Sequence, residues 1–321
     1  MKRVALFPGQ GAQCIGMGVA CARSHAPSRR LFEEASEILQ YDLLRLLEEG
    51  PSDKINKTGV AQPALLTTSL AVYTKWRDTA EEPVQFDACA GLSLGEYSAL
   101  CFAGVLSFKD AVALTAQRGS LMQKAAEEHP GDMFAILGLG KEDTERLCAA
   151  AAAAAAATAA ESKCVDGSRP GGSGSAAHCG VANYLCKGNY AVSVSRAAAQ
   201  ALQEAATAAK AKRCIKLQVD GAFHSPLMAP AAEGLATAIE SVPFNKPRIP
   251  IVLNVDAQIH TDPSVIKRKL LQQLTSPTQW QQSMEHLGEL GVEESVEFGP
   301  GAVLTKLMNK INPTVRTLHV E

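Results

Sequence analysis

Phe86-Asp87-Ala88-Cys89-Ala90-Gly91-Leu92-Ser93-Leu94-Gly95-Glu96-Tyr97 carries three structural signals in one stretch. Phe86 to Ala90 reads as a short buried strand, and Glu96 to Phe102 continues with a helical pattern. Between them stands Gly91-x-Ser93-x-Gly95. Strand, tight turn and helix form the setting in which G-x-S-x-G presents a serine hydroxyl at the edge of an α/β sheet. Glycine on both flanks lets strand and helix approach closely enough to hold a strained turn with Ser93 at its tip. The stretch predicts an α/β fold and marks Ser93 as a candidate nucleophile, the alternative being a turn serine of structural role.

Outward from this turn, Val4 to Phe7 reads as another strand, ending in Pro8-Gly9-Gln10-Gly11, a loop of exposed backbone N–H groups. Helical patterns cover about 28 to 50, 62 to 79 and 109 to 127. Met133 to Leu139, 179 to 185, 189 to 195 and 214 to 219 are strand candidates, with helices at Lys141 to Ala160 and about 196 to 211. That β-α-β-β-α-β order predicts a ferredoxin-like module. Ile249 to Val255 and Ser295 to Phe298 return the chain to the first sheet, with helices between and after them. The expected fold is an α/β-hydrolase-like large domain with a short parallel sheet, residues 1–129 and 220–321, carrying an inserted ferredoxin-like small domain at 130–219. Nine consecutive alanines at 149–157 and the Gly/Ser-rich Gly167 to Ser175 make an insertion at about 149–175, expected to be peripheral and its second half flexible.

With 46% hydrophobic and 20% charged residues and a formal net charge of -2, the composition is that of a globular protein and lacks the basic excess nucleic-acid binding would want. No apolar run reaches the roughly 20 residues of a membrane-spanning helix, so no membrane partner is expected. Nine cysteines, an odd number without a C-x-x-C pair, read as reduced thiols. The chain is therefore expected to be soluble in a reducing compartment, either cytoplasm or an organelle such as a plastid after loss of a transit peptide.

A serine hydroxyl needs a base, an oxyanion site and rigid support to act as a nucleophile. Leu94 would open the following helix with its N–H free for a developing oxyanion. The Gln10 turn is the best source of a second donor, because parallel strands set such loops side by side. Among seven histidines, His224 stands out in the loop Asp220-Gly221-Ala222-Phe223-His224-Ser225-Pro226, between a strand candidate and a helix, as a candidate base. A lone histidine can equally be structural. Arg118 falls on an apolar-patterned helix containing Ala113, Leu114, Leu121 and Met122. Pointing inward, its guanidinium requires either an internal carboxylate or a substrate's.

Phe7-Pro8-Gly9-Gln10-Gly11-Ala12-Gln13, Gly91-Leu92-Ser93-Leu94-Gly95-Glu96-Tyr97 and Ala222-Phe223-His224-Ser225 resemble, in order, the signature blocks of malonyl-CoA:acyl-carrier-protein transacylases. Gln273 to Trp280 and Glu297 to Leu304 extend the resemblance over nearly the whole chain, the alanine and Gly/Ser stretch excepted. The resemblance implies that Ser93 is acylated and that His224 takes and returns its proton. Gln10 and Leu94 would supply oxyanion N–H groups, and Gln273 would orient His224 through a carbonyl oxygen. Arg118 would bind the malonyl carboxylate, with Met122 one turn along the same helix also at the substrate. Phe223 resembles malonyl-selective members, since an aromatic there crowds an α-methyl group. At Asn183 the chain departs: Asn183-Tyr184-Leu185-Cys186-Lys187-Gly188-Asn189 lacks the second asparagine, proline and glutamine of the family's run, so contacts to pantetheine or carrier differ there.

The implied reaction is ping-pong transfer of malonyl from malonyl-CoA to the phosphopantetheine thiol of an acyl carrier protein for fatty acid synthesis. It needs no metal, flavin or nucleotide cofactor, and the enzyme is expected to be a monomer. Carrier proteins of this kind are acidic, so Lys187, Lys210, Lys212, Arg213 and Lys216 are candidates for a basic rim, or for an ordinary solvated face. Three rivals stand beside this reading: a polyketide-type acyltransferase with another acyl unit, a serine hydrolase of similar fold, and a non-catalytic carrier-binding module.

Overall fold

The computed structural model describes residues 1–82, 84–166 and 177–321, and the expected Gly167 to Ser175 loop lies outside the described residues. From β1 (Lys2–Phe7) the chain runs through α1 (Val19–Ser24), α2 (Ala26–Leu39), α3 (Leu43–Glu49), α4 (Ser52–Asn56) and α5 (Thr58–Thr79) to β2 (Ala88–Gly91). After α6 (Gly95–Phe102) and α7 (Phe108–Glu128) come β3 (Gly131–Leu137), α8 (Lys141–Asp166), β4 (Cys179–Cys186), β5 (Asn189–Ser195), α9 (Ala199–Ala208) and β6 (Arg213–Lys216). The remainder is α10 (Ala229–Ser241), β7 (Ile251–Val252), β8 (Ile259–His260), α11 (Pro263–Gln272), α12 (Trp280–Glu289), β9 (Val292–Phe298), α13 (Val303–Ile311) and β10 (Arg316–Val320).

Two sheets result. The first has the order β10-β9-β1-β2-β7-β8 and is parallel except for β8; the second, β4-β5-β3-β6, is antiparallel. Val4, Ala5, Leu6 and Phe7 are all fully buried, as a strand covered on both faces requires. Alternate residues serve alternate layers. Ala5, Phe7, Cys89 and Phe298 join the core beneath α5 and α7, whereas Val4, Leu6, Ala88 and Ala90 join Trp280 and Met284 of α12 and Leu304 of α13. Aromatic rings consolidate the first layer: Phe7 lies 5.3 Å from Phe102, Tyr73 4.7 Å from Phe102 and Trp76 5.1 Å from Phe298.

The element pattern departs from the sequence expectation in four places. The helix expected over 28–50 is broken because Gln40 takes a left-handed conformation and the Asp42 carboxylate caps a new helix by accepting from Arg45 N–H. The strand expected at 249–255 is only Ile251–Val252, since the chain turns at Leu253 and pairs back through Gln258. The strand expected at 214–219 is Arg213–Lys216, ending earlier along β3. Past α13, where only helices were expected, β10 adds an edge strand to β9. No helix among the described residues is long and apolar enough to cross a membrane.

The approach of α6 to β1 and β2 depends on missing side chains. A Cβ on Gly91 would stand 1.9 Å from Gly95 O, and one on Gly95 would stand 2.0 Å from Phe7 O. Both atoms it would meet are backbone, so relief requires moving a strand. Gly95→Ala is therefore expected to lower unfolding free energy by more than about 2 kcal/mol in denaturant titration, and a change below about 0.5 kcal/mol would contradict the packing described.

Candidate active site

Open α/β sheets place their sites beyond the carboxyl ends of parallel strands. Here the register Phe7↔Gly91 sets the turn after β1 beside the turn after β2, so close that a Cβ on Gly9 would lie 2.4 Å from Leu92 O. Ser93 sits at the tip with φ 53°, a left-handed conformation that side chains rarely adopt and that surrounding contacts must hold.

His224, in the irregular segment after β6, places Nε2 2.7 Å from Ser93 Oγ. Its Nδ1 lies 2.9 Å from the backbone oxygen of Gln273, an acceptor only, so Nδ1 carries the hydrogen and Nε2 is the free base. Burial, reinforced by the Arg118 charge, lowers the imidazole pKa to about 4. The base is therefore uncharged at neutral pH.

Arg118 on α7 is 1% exposed. Nη1 donates to Gln62 Oε1 at 2.8 Å, and Nη2 donates to Gln273 Oε1 at 2.9 Å and to Ser93 Oγ at 3.2 Å. Nε has no partner among the described residues, and the guanidinium lies 5.4 Å from the Tyr97 ring centroid. Glu96 is near, but burial above all pushes its carboxyl up to about 8, leaving it mostly protonated at neutral pH. None of the described carboxylates forms an ion pair with Arg118, whose direct partners are the neutral side chains of Gln62, Gln273 and Ser93.

The other expected residues fall around the same point. The N–H groups of Gln10 and Leu94 have no intramolecular acceptor among the described residues. The Gln10 side chain donates to Thr58 Oγ1 at 3.2 Å, and Thr58 donates on to Asp220 at 3.2 Å. Gln273 makes three ties at once: its backbone oxygen to His224, its Oε1 to Arg118, and its Nε2 to Ser93 O at 3.0 Å. Met122, Phe223 and Asn183 line a cavity of about 260 Å³ together with Ser93, Met133, Leu185 and Leu217. Asn183 donates its amide nitrogen to Thr278 Oγ1 at 2.7 Å.

Sequence reasoning did not find Gln62, Glu96 or Asn254. Gln62 was visible only as a polar residue at the start of an apolar helix, and Asn254 as a polar residue in an apolar run. Asn254 is 2% exposed and accepts from Ser93 N–H at 2.6 Å.

The Acyl transferase domain family model matches residues 4–170. The chain is similar to the malonyl CoA-acyl carrier protein transacylase of Bacillus subtilis (strain 168), 39% identical over 100% of this chain and 94% of that protein. It is equally similar to the Escherichia coli (strain K12) protein of the same name, 39% identical over 97% of this chain and 93% of that one. Among solved structures, an acyl carrier protein S-malonyltransferase from Vibrio cholerae O1 superposes with a TM-score of 0.89 at 37% identity, covering 100% of this chain and 97% of that one. A type II PKS acyl-carrier protein in complex with its malonyl-transacylase gives 0.87 at 35% identity, covering 100% and 96%.

The neutral imidazole sets a pH dependence that any serine-directed electrophile reports. Labelling of Ser93 by a sulfonyl fluoride is expected to stay level from neutrality to about pH 5 and to fall with a midpoint near about 4 as His224 takes a proton. A midpoint at the ordinary histidine value, about 6.5, would show that burial and Arg118 do not act on the ring as described.

Proposed function

The chain belongs to the malonyl CoA-acyl carrier protein transacylase family, and from that premise we propose that it moves a malonyl group from malonyl-CoA to the phosphopantetheine thiol of an acyl carrier protein through a malonyl-Ser93 ester. One observation carries the reading: a buried guanidinium without a carboxylate partner, 3.2 Å from the hydroxyl to be acylated. Such a fork, beside the reacting oxygen, fits an acyl group that ends in its own carboxylate.

Ser93 Oγ attacks the thioester carbonyl as its proton passes to His224 Nε2. The oxyanion forms against the free N–H groups of Gln10 and Leu94, and collapse expels the CoA thiolate, which takes the proton from His224. The carrier thiol then gives its proton to His224 and attacks the ester; Ser93 leaves and recovers the proton. Arg118 turns from Ser93 Oγ to the malonyl carboxylate and holds the acyl group for the second thiol. Side chains and two substrates account for every step, so the reading invokes no cofactor. Eight described cysteines, all free thiols, support operation in a reducing compartment.

We assign residues 1–129 and 220–321 to an α/β-hydrolase-like catalytic domain and 130–219 to an inserted ferredoxin-like one. The order β4-β5-β3-β6 with β-α-β-β-α-β connections supports the second assignment. Lys187, Lys210, Lys212 and Arg213 are exposed at one end of that sheet, where Gly138 N–H meets Gly188 O and Lys212 N–H meets Leu137 O; Lys216 pairs with Asp132 instead. We assign these cations, unpaired among the described residues, to the acidic carrier.

Intact-mass measurement after mixing with malonyl-CoA tests the reaction. A malonyl adduct is expected on wild type and none on Ser93→Ala, while Arg118→Ala slows malonyl acylation by about two orders of magnitude and keeps acetyl acylation. Free malonate accumulating without an adduct would instead indicate a hydrolase. For the carrier, Lys212→Glu combined with Arg213→Glu is expected to raise its KM about tenfold at low ionic strength and less at high salt; a KM that does not move in steady-state assays would exclude this edge as the docking face.

A further inference from the structure

Ser93 N–H and Gly91 O are the two backbone groups that β2 leaves open where it turns into α6, and both go to one side chain. Asn254 Oδ1 accepts from Ser93 N–H at 2.6 Å, and Asn254 Nδ2 donates to Gly91 O at 2.7 Å. The pattern is that of a parallel ladder, in which the N–H and C=O of one residue bond the carbonyl before and the N–H after the residue it faces, here Leu92. Register places it there: β7 pairs with β2 as Cys89↔Ile251 and Ala90↔Val252, then the chain turns at Leu253. The primary amide of Asn254 takes the place of the backbone N–H and C=O that the turning strand no longer offers to β2.

The residue is itself fixed on every side. Its N–H donates to Glu96 Oε2 at 2.6 Å, and its carbonyl accepts from Gln279 N–H at 2.7 Å. Glu96 lies in the first turn of α6, so the strand, the elbow and the helix are tied through one buried amide. Holding Ser93 N–H away from the cavity keeps its φ at 53° and leaves Leu94 N–H as the elbow's donor toward the reacting carbonyl.

We propose that Asn254 is a positioning residue for the nucleophile: its amide extends the parallel ladder by one rung and holds the Ser93 backbone in the strained conformation that aims Oγ at His224. The inference rests on the reading of Ser93 as the acylated residue.

The experiment follows acylation of Ser93 by malonyl-CoA in wild type, Asn254→Ala and Asn254→Asp, each assayed below its own unfolding midpoint. In Asn254→Ala the maximal acylation rate is expected to fall between about tenfold and about a hundredfold, with half-saturation by malonyl-CoA within about twofold of wild type. Asn254→Asp keeps an acceptor for Ser93 N–H and is expected to fall between the two. A folded Asn254→Ala that acylates at the wild-type rate, or that is impaired only in half-saturation, overturns the proposal. Should Asn254→Ala not fold, Asn254→Asp decides: a slower maximal rate at unchanged half-saturation supports the proposal, and an unchanged rate overturns it. A wild type that forms no adduct defeats the reading of Ser93, whereas a wild type that acylates beside variants that do so equally defeats this inference alone.

Discussion

Arg118 carries a full positive charge inside the protein with no carboxylate beside it, and the site is built around that constraint. Removing a charge from water costs several kcal/mol even after relaxation, and unpaired it would be excluded from a core. Here neutral dipoles do part of the solvation: the carbonyl oxygens of Gln62 and Gln273, the Ser93 hydroxyl and the face of Tyr97. Each is a weaker partner than a carboxylate and none cancels the charge. Arg118 therefore retains an attraction for an anionic group, which on the proposed reading is the carboxylate of the acyl chain.

The same charge acts on the protonation of its neighbours, although burial is the larger influence on both. His224 is kept neutral, with burial the larger cause and Arg118 the second. Glu96 is drawn the other way by Arg118, but burial dominates and leaves it mostly protonated. The site thus presents a single net positive charge to an entering substrate. On the proposed reading, an acyl carboxylate that neutralises Arg118 would screen its repulsion on a protonated imidazole, so that seating the anionic acyl group would make His224 a stronger base.

How much of this was legible in the sequence follows from how local each signal is. The turn at Ser93 was readable because strand, glycines and helix are contiguous, and the strand before Gln10 because its apolar run is unbroken. Arg118 was legible as a cation on an apolar face, though whether its partner was internal could not be read from spacing. Gln62 and Asn254 acquire meaning only through contacts 56 and 161 residues away, and in the sequence each is one polar residue in an apolar stretch. The break after Leu39 and the short β7 escaped for a related reason, since hydrophobic periodicity does not report a left-handed residue or a side chain standing in for a strand.

The arrangement around Ser93 also explains why transfer should proceed in two separate halves. Behind the nucleophile, Asn254, Glu96 and Gln273 fill the space with buried bonded groups, and α6 closes the rest. The hydroxyl lines a cavity with Met133, Leu185 and Leu217, supplied by the second sheet and the segment after it. If both thiols use this one cavity, as the proposed reaction has it, they take turns at the carbonyl carbon, which fits an acyl group held on Ser93 between two half-reactions. Apolar lining of this kind limits the water at an ester, and on the proposed reading it leaves the malonyl carboxylate to Arg118 rather than to solvent.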